Sequence, residues 1–83
     1  MTVTEVREAY RRNPFVPFRI IIPGGPAVDV SSPEFMMFSP TNRIVFVMLP
    51  DGREIRIDSA LITALEDLEV ASGPADARTE NGE

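Results

Sequence analysis

Few of the residue types that carry out chemistry in proteins occur in this chain. Its 83 residues include no histidine and no cysteine, and all eight basic residues are arginines. The candidate acids, bases and nucleophiles are therefore carboxylates, hydroxyls and Tyr10. Asp58–Ser59 and Asp29–Ser31 each place a carboxylate near a hydroxyl, but no imidazole or amine can activate that hydroxyl. We predict that the protein has no catalytic residues and is not an enzyme.

The carboxylates give little reason to expect a bound metal. Without cysteine and histidine, a zinc site lacks its usual ligands. Asp29 with Glu34, or Asp51 with Glu54, offers oxygen ligands of the kind that hard cations prefer. Neither pair has the dense alternation of acids that marks an EF-hand loop, and ordinary turn and capping roles explain both. We expect neither a metal nor another cofactor.

The charges are spread unevenly along the chain. From residue 1 to 65, seven arginines balance seven acids, so the whole net charge of −5 lies in the last eighteen residues. A neutral body with an acidic tail lacks the basic surplus typical of nucleic-acid-binding proteins. An alternative is a nucleic-acid surface in which Tyr10 or Phe15 stacks beside Arg11, Arg12, Arg43, Arg53 and Arg56. Each of these arginines has a nearby acid, and Phe15 is more simply explained as a lid on the core, so nucleic acid is a disfavoured partner.

The run Phe35-Met36-Met37-Phe38 is the best candidate for an interface. As a strand it is apolar on both faces, and one thin sheet of so small a domain cannot bury both. Methionine packs well at adaptable interfaces, and small domains without disulfides or metals often gain stability by self-association. We expect part of this run to contact a second copy of the chain or a protein partner. The alternative is a strand buried internally beneath a helix.

The elements that position these residues begin with a helix over 2–12. Thr2 and Glu5 match a capping box, apolar residues recur at helical spacing, and Asn13-Pro14 ends the helix. Apolar alternation between turn signals then predicts short strands. These strands cover 18–22, 27–30, 35–38, 43–49 and 54–57, with a brief helical turn at 32–34.

Turn chemistry and composition define the rest of the chain. Leu49-Pro50-Asp51-Gly52-Arg53 predicts a hairpin turn with glycine at positive φ. Residues 62–70 fit either a helix capped by Asp58 or, after a short turn over 58–61, a strand, and we favour the strand. Residues 71–83 carry scattered acids and no aliphatic side chain larger than alanine. They predict a disordered acidic tail after a single domain over 1–70.

A series of motifs from Thr4 to about Leu68 resembles a set of short bacterial proteins marked by a PFxPFxI…G…V…PE pattern. In this chain the motifs are Pro14-Phe15-Val16-Pro17-Phe18-Arg19-Ile20, Val28-Asp29-Val30, Pro33-Glu34-Phe35, Pro50-Asp51-Gly52 and Ile57-Asp58. This resemblance implies no activity. At the level of topology, one helix before about five short strands is similar to the Sm-like and SH3-like small barrels. No residue matches an RNA-contacting motif of the Sm class.

A second pattern concerns nucleotides. Arg7 and Arg11, followed by Asp29-Val30-Ser31, are similar in spacing to the motifs of PilZ-type cyclic-di-nucleotide receptors. Paired arginines suit bidentate contacts with phosphate. The receptor pattern ends in glycine where this chain has Glu34, and the arginines lie inside a capped helix. A solvated helix face is the simpler interpretation.

Together these features predict a mainly β domain with one N-terminal helix. It is either a small, strongly bent antiparallel sheet or a five-stranded SH3/Sm-like barrel with the helix over one open end. We expect a non-enzymatic interaction module that self-associates or binds a protein through an exposed strand edge; the alternative is an Sm-like nucleic-acid-binding ring subunit. The longest apolar stretch, 44–49, is too short for a signal peptide or a membrane span. We therefore expect a cytoplasmic protein without membrane contact.

Overall fold

The computed structural model describes residues 1–68, in which one helix is followed by six short strands. The elements are α1 (Val3–Arg11), β1 (Phe18–Ile21), β2 (Val28–Val30), β3 (Met36–Phe38), β4 (Ile44–Met48), β5 (Glu54–Asp58) and β6 (Ala64–Asp67). Single 3₁₀ turns at Pro33–Phe35 and Ser59–Leu61 precede β3 and β6. The predicted domain boundary at residue 70 and the predicted tail over 71–83 lie outside the described residues.

The strands form two antiparallel sheets of three strands each. Sheet 1 has the order β2-β1-β6 and sheet 2 the order β3-β4-β5. No ladder joins the two sheets within residues 1–68, so the small-sheet prediction is confirmed and the strands do not close into a barrel. Two interruptions account for this. The turn begun by Pro33 separates β2 from β3, and the turn Ser59–Leu61 separates β5 from β6.

One apolar core joins both sheets and the helix. Strand residues alternate between the two faces of a sheet, so in β1 Phe18 and Ile20 are buried while Arg19 stays partly exposed. The helix adds Val6 and Ala9, which recur on one face. The other buried apolar residues are Val28, Val30, Met36, Val45, Val47, Ile57 and Ile62.

The helix is fixed to both sheets by polar contacts. Arg12 forms a bidentate pair with the Asp67 carboxylate at the end of β6, with N···O distances of 2.9 and 3.0 Å. Arg7 donates a hydrogen bond of 3.0 Å to the side-chain oxygen of Asn42, in the turn between β3 and β4. Arg12, directly after α1, thus reaches sheet 1, and Arg7 within α1 reaches the β3–β4 turn of sheet 2, so the helix connects two sheets that no ladder joins.

Several local predictions are confirmed. The Glu5 carboxylate accepts a hydrogen bond from the Thr2 N–H at the start of α1 (3.0 Å), as in a capping box. Gly52 has a φ of +91°, and its N–H donates to the Leu49 carbonyl (2.9 Å) in the predicted hairpin turn. Within the ambiguous segment 62–70, Ala64–Asp67 is a strand paired with β1.

Several predicted ends differ by one residue from the observed ones, and the start of β3 is the one with a clear physical reason. Phe35 does not begin β3, because it is the last residue of the 3₁₀ turn, and its N–H donates to the Ser32 carbonyl (3.1 Å). Pro33 at the start of this turn favours the helical geometry. No helix within residues 1–68 is long and apolar enough to span a membrane.

Candidate interaction surface

Three large apolar side chains remain exposed around one groove on sheet 2. Phe35 is 40% exposed, Met37 59% and Met48 43%. Together with the half-buried Phe46 they line a groove of about 370 Å³. We call Phe35, Met37, Phe46 and Met48 the apolar surface.

Strand pairing brings these side chains together. Met37 of β3 lies directly opposite Phe46 of β4, and Met48 is two residues further along β4 on the same face. The neighbouring cross-strand pair, Met36 and Val47, is buried in the core. Because successive side chains point to opposite faces, burial of one pair places the other pair on the outer face of sheet 2. The apolar surface is therefore a direct consequence of the strand register.

The apolar surface borders an edge strand. Within the described residues, β3 pairs only with β4. The Ser39 N–H donates to the Ile44 carbonyl (2.9 Å), just beyond the strand end. Since hydrogen-bonding direction alternates along an antiparallel strand, the N–H and C=O of Phe38 point away from β4. The Met36 N–H turns back to the Pro33 carbonyl. Phe38 thus offers the open backbone groups of this edge, next to Met37.

The structure divides the predicted interface run into two parts. Phe35, Met36 and Met37 all line the groove, but Phe35 and Met37 are exposed on the apolar surface whereas Met36 is almost wholly buried in the core. Phe38 is half-buried, with its ring centroid 5.3 Å from that of Tyr10 and 4.9 Å from the Arg7 guanidinium carbon. The run therefore contributes alternate residues to the core and to the surface.

Sequence reasoning did not place Phe46 and Met48 at the candidate site. The available signal was the alternation in β4, where Ile44, Phe46 and Met48 share one face and Val45 and Val47 share the other. Both faces are apolar, so the pattern does not reveal which one faces the core. In the structure Val45 and Val47 are fully buried, so their face of β4 is the one that packs on the core.

The charged residues that line this groove, among those the structure describes, are two carboxylates. Glu34, in the 3₁₀ turn before β3, accepts a hydrogen bond from the Ser32 hydroxyl. Glu54, at the start of β5, lies 3.8 Å from the Arg56 guanidinium. Arg56 lies opposite Phe46 in the β4–β5 ladder but does not line the groove. The rim of the apolar surface is therefore acidic.

A larger groove of about 730 Å³ adjoins the first one and shares Phe35 and Met48 with it. It runs between β2 and the β4–β5 hairpin, and its charged residues are Asp29 and Arg53. Asp29 forms an ion pair of 2.7 Å with Arg19, and this hydrogen-bonded pairing lowers the pKa of Asp29. Arg53 forms an ion pair of 2.7 Å with Asp51. Both charged residues of the larger groove are thus already paired, and this groove mainly extends the apolar area beside Phe35 and Met48.

The arginines considered for nucleic-acid contact are dispersed and mostly paired. Arg12 pairs with Asp67, Arg53 with Asp51 and Arg56 with Glu54. Arg11 at the end of α1 and Arg43 before β4 form no ion pair with another residue of 1–68. Tyr10 and Phe15, the stacking candidates, are partly buried against the core.

The residues weighed for catalysis and metal binding have structural partners. The Asp58 carboxylate accepts a hydrogen bond from the Ala60 N–H (2.9 Å) and so caps the second 3₁₀ turn. The Ser59 hydroxyl donates to the Asn42 carbonyl (3.0 Å). Two hydrogen bonds from Arg53 lower the pKa of Asp51. The larger effect comes from the backbone N–H of Arg53 and the smaller one from its side chain. No group of three potential metal ligands occurs in the part of the chain that the structure describes.

No family model matches the chain, and searches of curated proteins and of solved structures give no match. The resemblances to short bacterial proteins and to Sm-like or SH3-like barrels therefore stay predictions.

Proposed function

We propose that this chain is a cytoplasmic, non-enzymatic interaction module. It binds another polypeptide, either a second copy or a different protein, at the apolar surface beside the edge strand β3. The observation that carries the proposal is the convergence of Phe35, Met37 and Met48, all exposed, on one groove.

Convergence matters more than exposure. Single exposed apolar residues are normal on protein surfaces, and residues 1–68 include two outside this surface, Leu61 at 57% and Met1 at 43%. Neither lines this groove. The apolar surface instead combines flexible methionine side chains with two aromatic rings in one concavity. Such a surface releases water from a large apolar area when a partner covers it, and methionine adapts to partners of different shape.

The groove also has the size of a binding site. Its volume of about 370 Å³ lies within the range of roughly 300–1,000 Å³ that is usual for ligand sites. The open backbone groups of Phe38 lie beside it, and an unpaired strand edge is a common place for a partner chain to add. Apolar contact and backbone hydrogen bonding are thus available side by side.

The test compares two serine variants with matched exposure. Met37→Ser removes the most exposed member of the apolar surface, and Leu61→Ser removes an equally exposed leucine outside the groove. Neither change leaves a cavity in the core. A random peptide library is selected against the immobilised wild-type protein. Self-association of all three proteins is measured by size exclusion coupled to light scattering.

The proposal predicts selected peptides, or a self-association, that Met37→Ser weakens at least tenfold and that Leu61→Ser leaves unchanged. Two results would overturn it. One is peptides that bind all three proteins equally, because they would occupy another surface. The other is the absence of both selected peptides and self-association.

A further inference from the structure

The electrostatics of the groove select among partners. Glu34 and Glu54 are both exposed, and they are the charged residues that line it in residues 1–68. No arginine of the described residues lies within ion-pairing distance of Glu34, whereas Glu54 forms an ion pair of 3.8 Å with Arg56, so Glu34 is the carboxylate without an ion pair at this groove. Apolar walls of low dielectric strengthen the field of such carboxylates inside a cleft. The groove therefore attracts cations as well as apolar groups.

A second copy of this chain fits the groove poorly. The commonest contact between identical chains is two-fold, and it places the same patch of both copies face to face. Glu34 and Glu54 would then approach their own counterparts, and like charges that meet in an interface are repelled. Each copy also carries a net charge of −5, which adds to the repulsion.

We infer that the occupant of the groove is a short basic segment of a different protein, in which apolar side chains are flanked by arginine or lysine. This inference rests on the proposed function and specifies its partner. The apolar side chains contact Met37, Phe46 and Met48, and the flanking cations reach Glu34 and Glu54. Arg56 lies opposite Phe46 in the ladder and 3.8 Å from Glu54, so a cation of the segment would compete with Arg56 for the Glu54 carboxylate.

Two synthetic peptides and two double variants test this inference. The peptides share a Leu-Phe-Leu centre; one carries two arginines at each end and the other two glutamates at each end. The variant Glu34→Gln with Glu54→Gln removes the charges at the groove. The matched control, Glu8→Gln with Glu66→Gln, removes the same number of charges from exposed residues that do not line this groove. Affinities are measured by isothermal titration calorimetry at physiological salt.

The arginine peptide is expected to bind the wild-type protein at least tenfold more tightly than the glutamate peptide. The groove variant should weaken the arginine peptide by about fivefold, the effect of losing two exposed ion pairs. The control variant should stay within a factor of two.

Three results would overturn the inference: equal affinity for both peptides, equal weakening by both double variants, or a dimer that Met37→Ser dissociates. In each case the proposed function still stands if Met37→Ser abolishes the peptide binding or the self-association. Failure of both peptides to bind, together with no library-selected peptide and no self-association, would overturn the proposed function as well.

Discussion

Met37 of β3 and Phe46 of β4 lie directly opposite each other on the outer face of sheet 2, and both line the groove beside β3. The adjacent cross-strand pair, Met36 and Val47, belongs to the core. One pair thus stabilises the fold while its neighbour forms the candidate surface. A register shift of one residue would exchange their roles, so the core specifies the surface.

Phe18 is expected to be indispensable for folding, unlike Phe35. Phe18 is fully buried, with its ring centroid 5.8 Å from that of Phe15, and truncation of a buried phenylalanine costs roughly 3–5 kcal/mol. That loss is a large share of the stability of a small domain. Urea titration should show Phe18→Ala unfolded or nearly so, and Phe35→Ala destabilised by less than half as much. A Phe18→Ala protein of wild-type stability would refute the role of Phe18 as a core anchor.

The turn between β4 and β5 should tolerate asparagine better than valine at position 52. Gly52 has a φ of +91°, and a Cβ built there meets no atom within 4 Å. The cost of a substitution is therefore conformational and not steric crowding by neighbours. Gly52→Val should lower the free energy of unfolding by more than about 1 kcal/mol. Gly52→Asn should cost less, because asparagine adopts positive φ more readily, as Asn42 does here at +62°. Equal effects of the two changes would contradict this explanation.

Much of the fold was predictable because its signals are local. The proline after Asn13 ends the helix, and the Pro50-Asp51-Gly52 turn defines one hairpin. Contacts between distant residues were not predictable. The pair Arg12–Asp67 joins residues 55 positions apart, and no periodicity indicates which acid an arginine will meet. The division of the strands into two sheets was also beyond local signals, because it depends on how the turns at Pro33 and Ser59 direct the chain.

Acid should destabilise the protein partly through Asp67. Its hydrogen bond with Arg12 lowers the pKa of Asp67 below the ordinary value of 3.8. A carboxyl with a lowered folded-state pKa contributes its full stabilisation above the unfolded-state pKa and loses it as the pH falls through the folded-state pKa. The urea midpoint should therefore fall as the pH drops below about 4.

The fall of the urea midpoint at acidic pH should be shallower in Asp67→Asn. Glu8→Gln changes an exposed acid with no ion pair among residues 1–68, and its urea midpoint should fall with pH as that of the wild type does. High salt should also reduce the Asp67 contribution, because this ion pair is partly exposed. If Asp67→Asn and wild-type protein lose stability in parallel down to pH 2, the ion pair has no role in acid stability.

Single-stranded RNA is not expected to bind. Three of the five candidate arginines already face carboxylates, which leaves Arg11 and Arg43 with no ion pair among the described residues. Fluorescence anisotropy with a uridine-rich RNA should show no saturable binding at physiological salt, for the wild type or for Arg11→Ala with Arg43→Ala. Binding that weakens steeply with salt and disappears in the double variant would favour the Sm-like alternative.

The candidate site was only half predictable. The run from Phe35 to Phe38 indicated an interface because it is apolar at every position, and Phe35 and Met37 are indeed exposed. Phe46 and Met48 could not be assigned, since β4 is apolar on both faces and the choice of inner face depends on packing. The acidic rim was hidden for the same reason: Glu34 and Glu54 are far apart in sequence, and only the fold brings them to one groove.

The most direct test of the interaction surface is an NMR titration of the methionine methyl groups with the arginine-flanked peptide. Met37 and Met48 line the groove, whereas Met1 is exposed to the same extent as Met48 but does not line it. The account predicts saturable shifts of the Met37 and Met48 methyl resonances and an unchanged Met1 resonance. Equal shifts of all three resonances, or no shift at millimolar peptide, would contradict it.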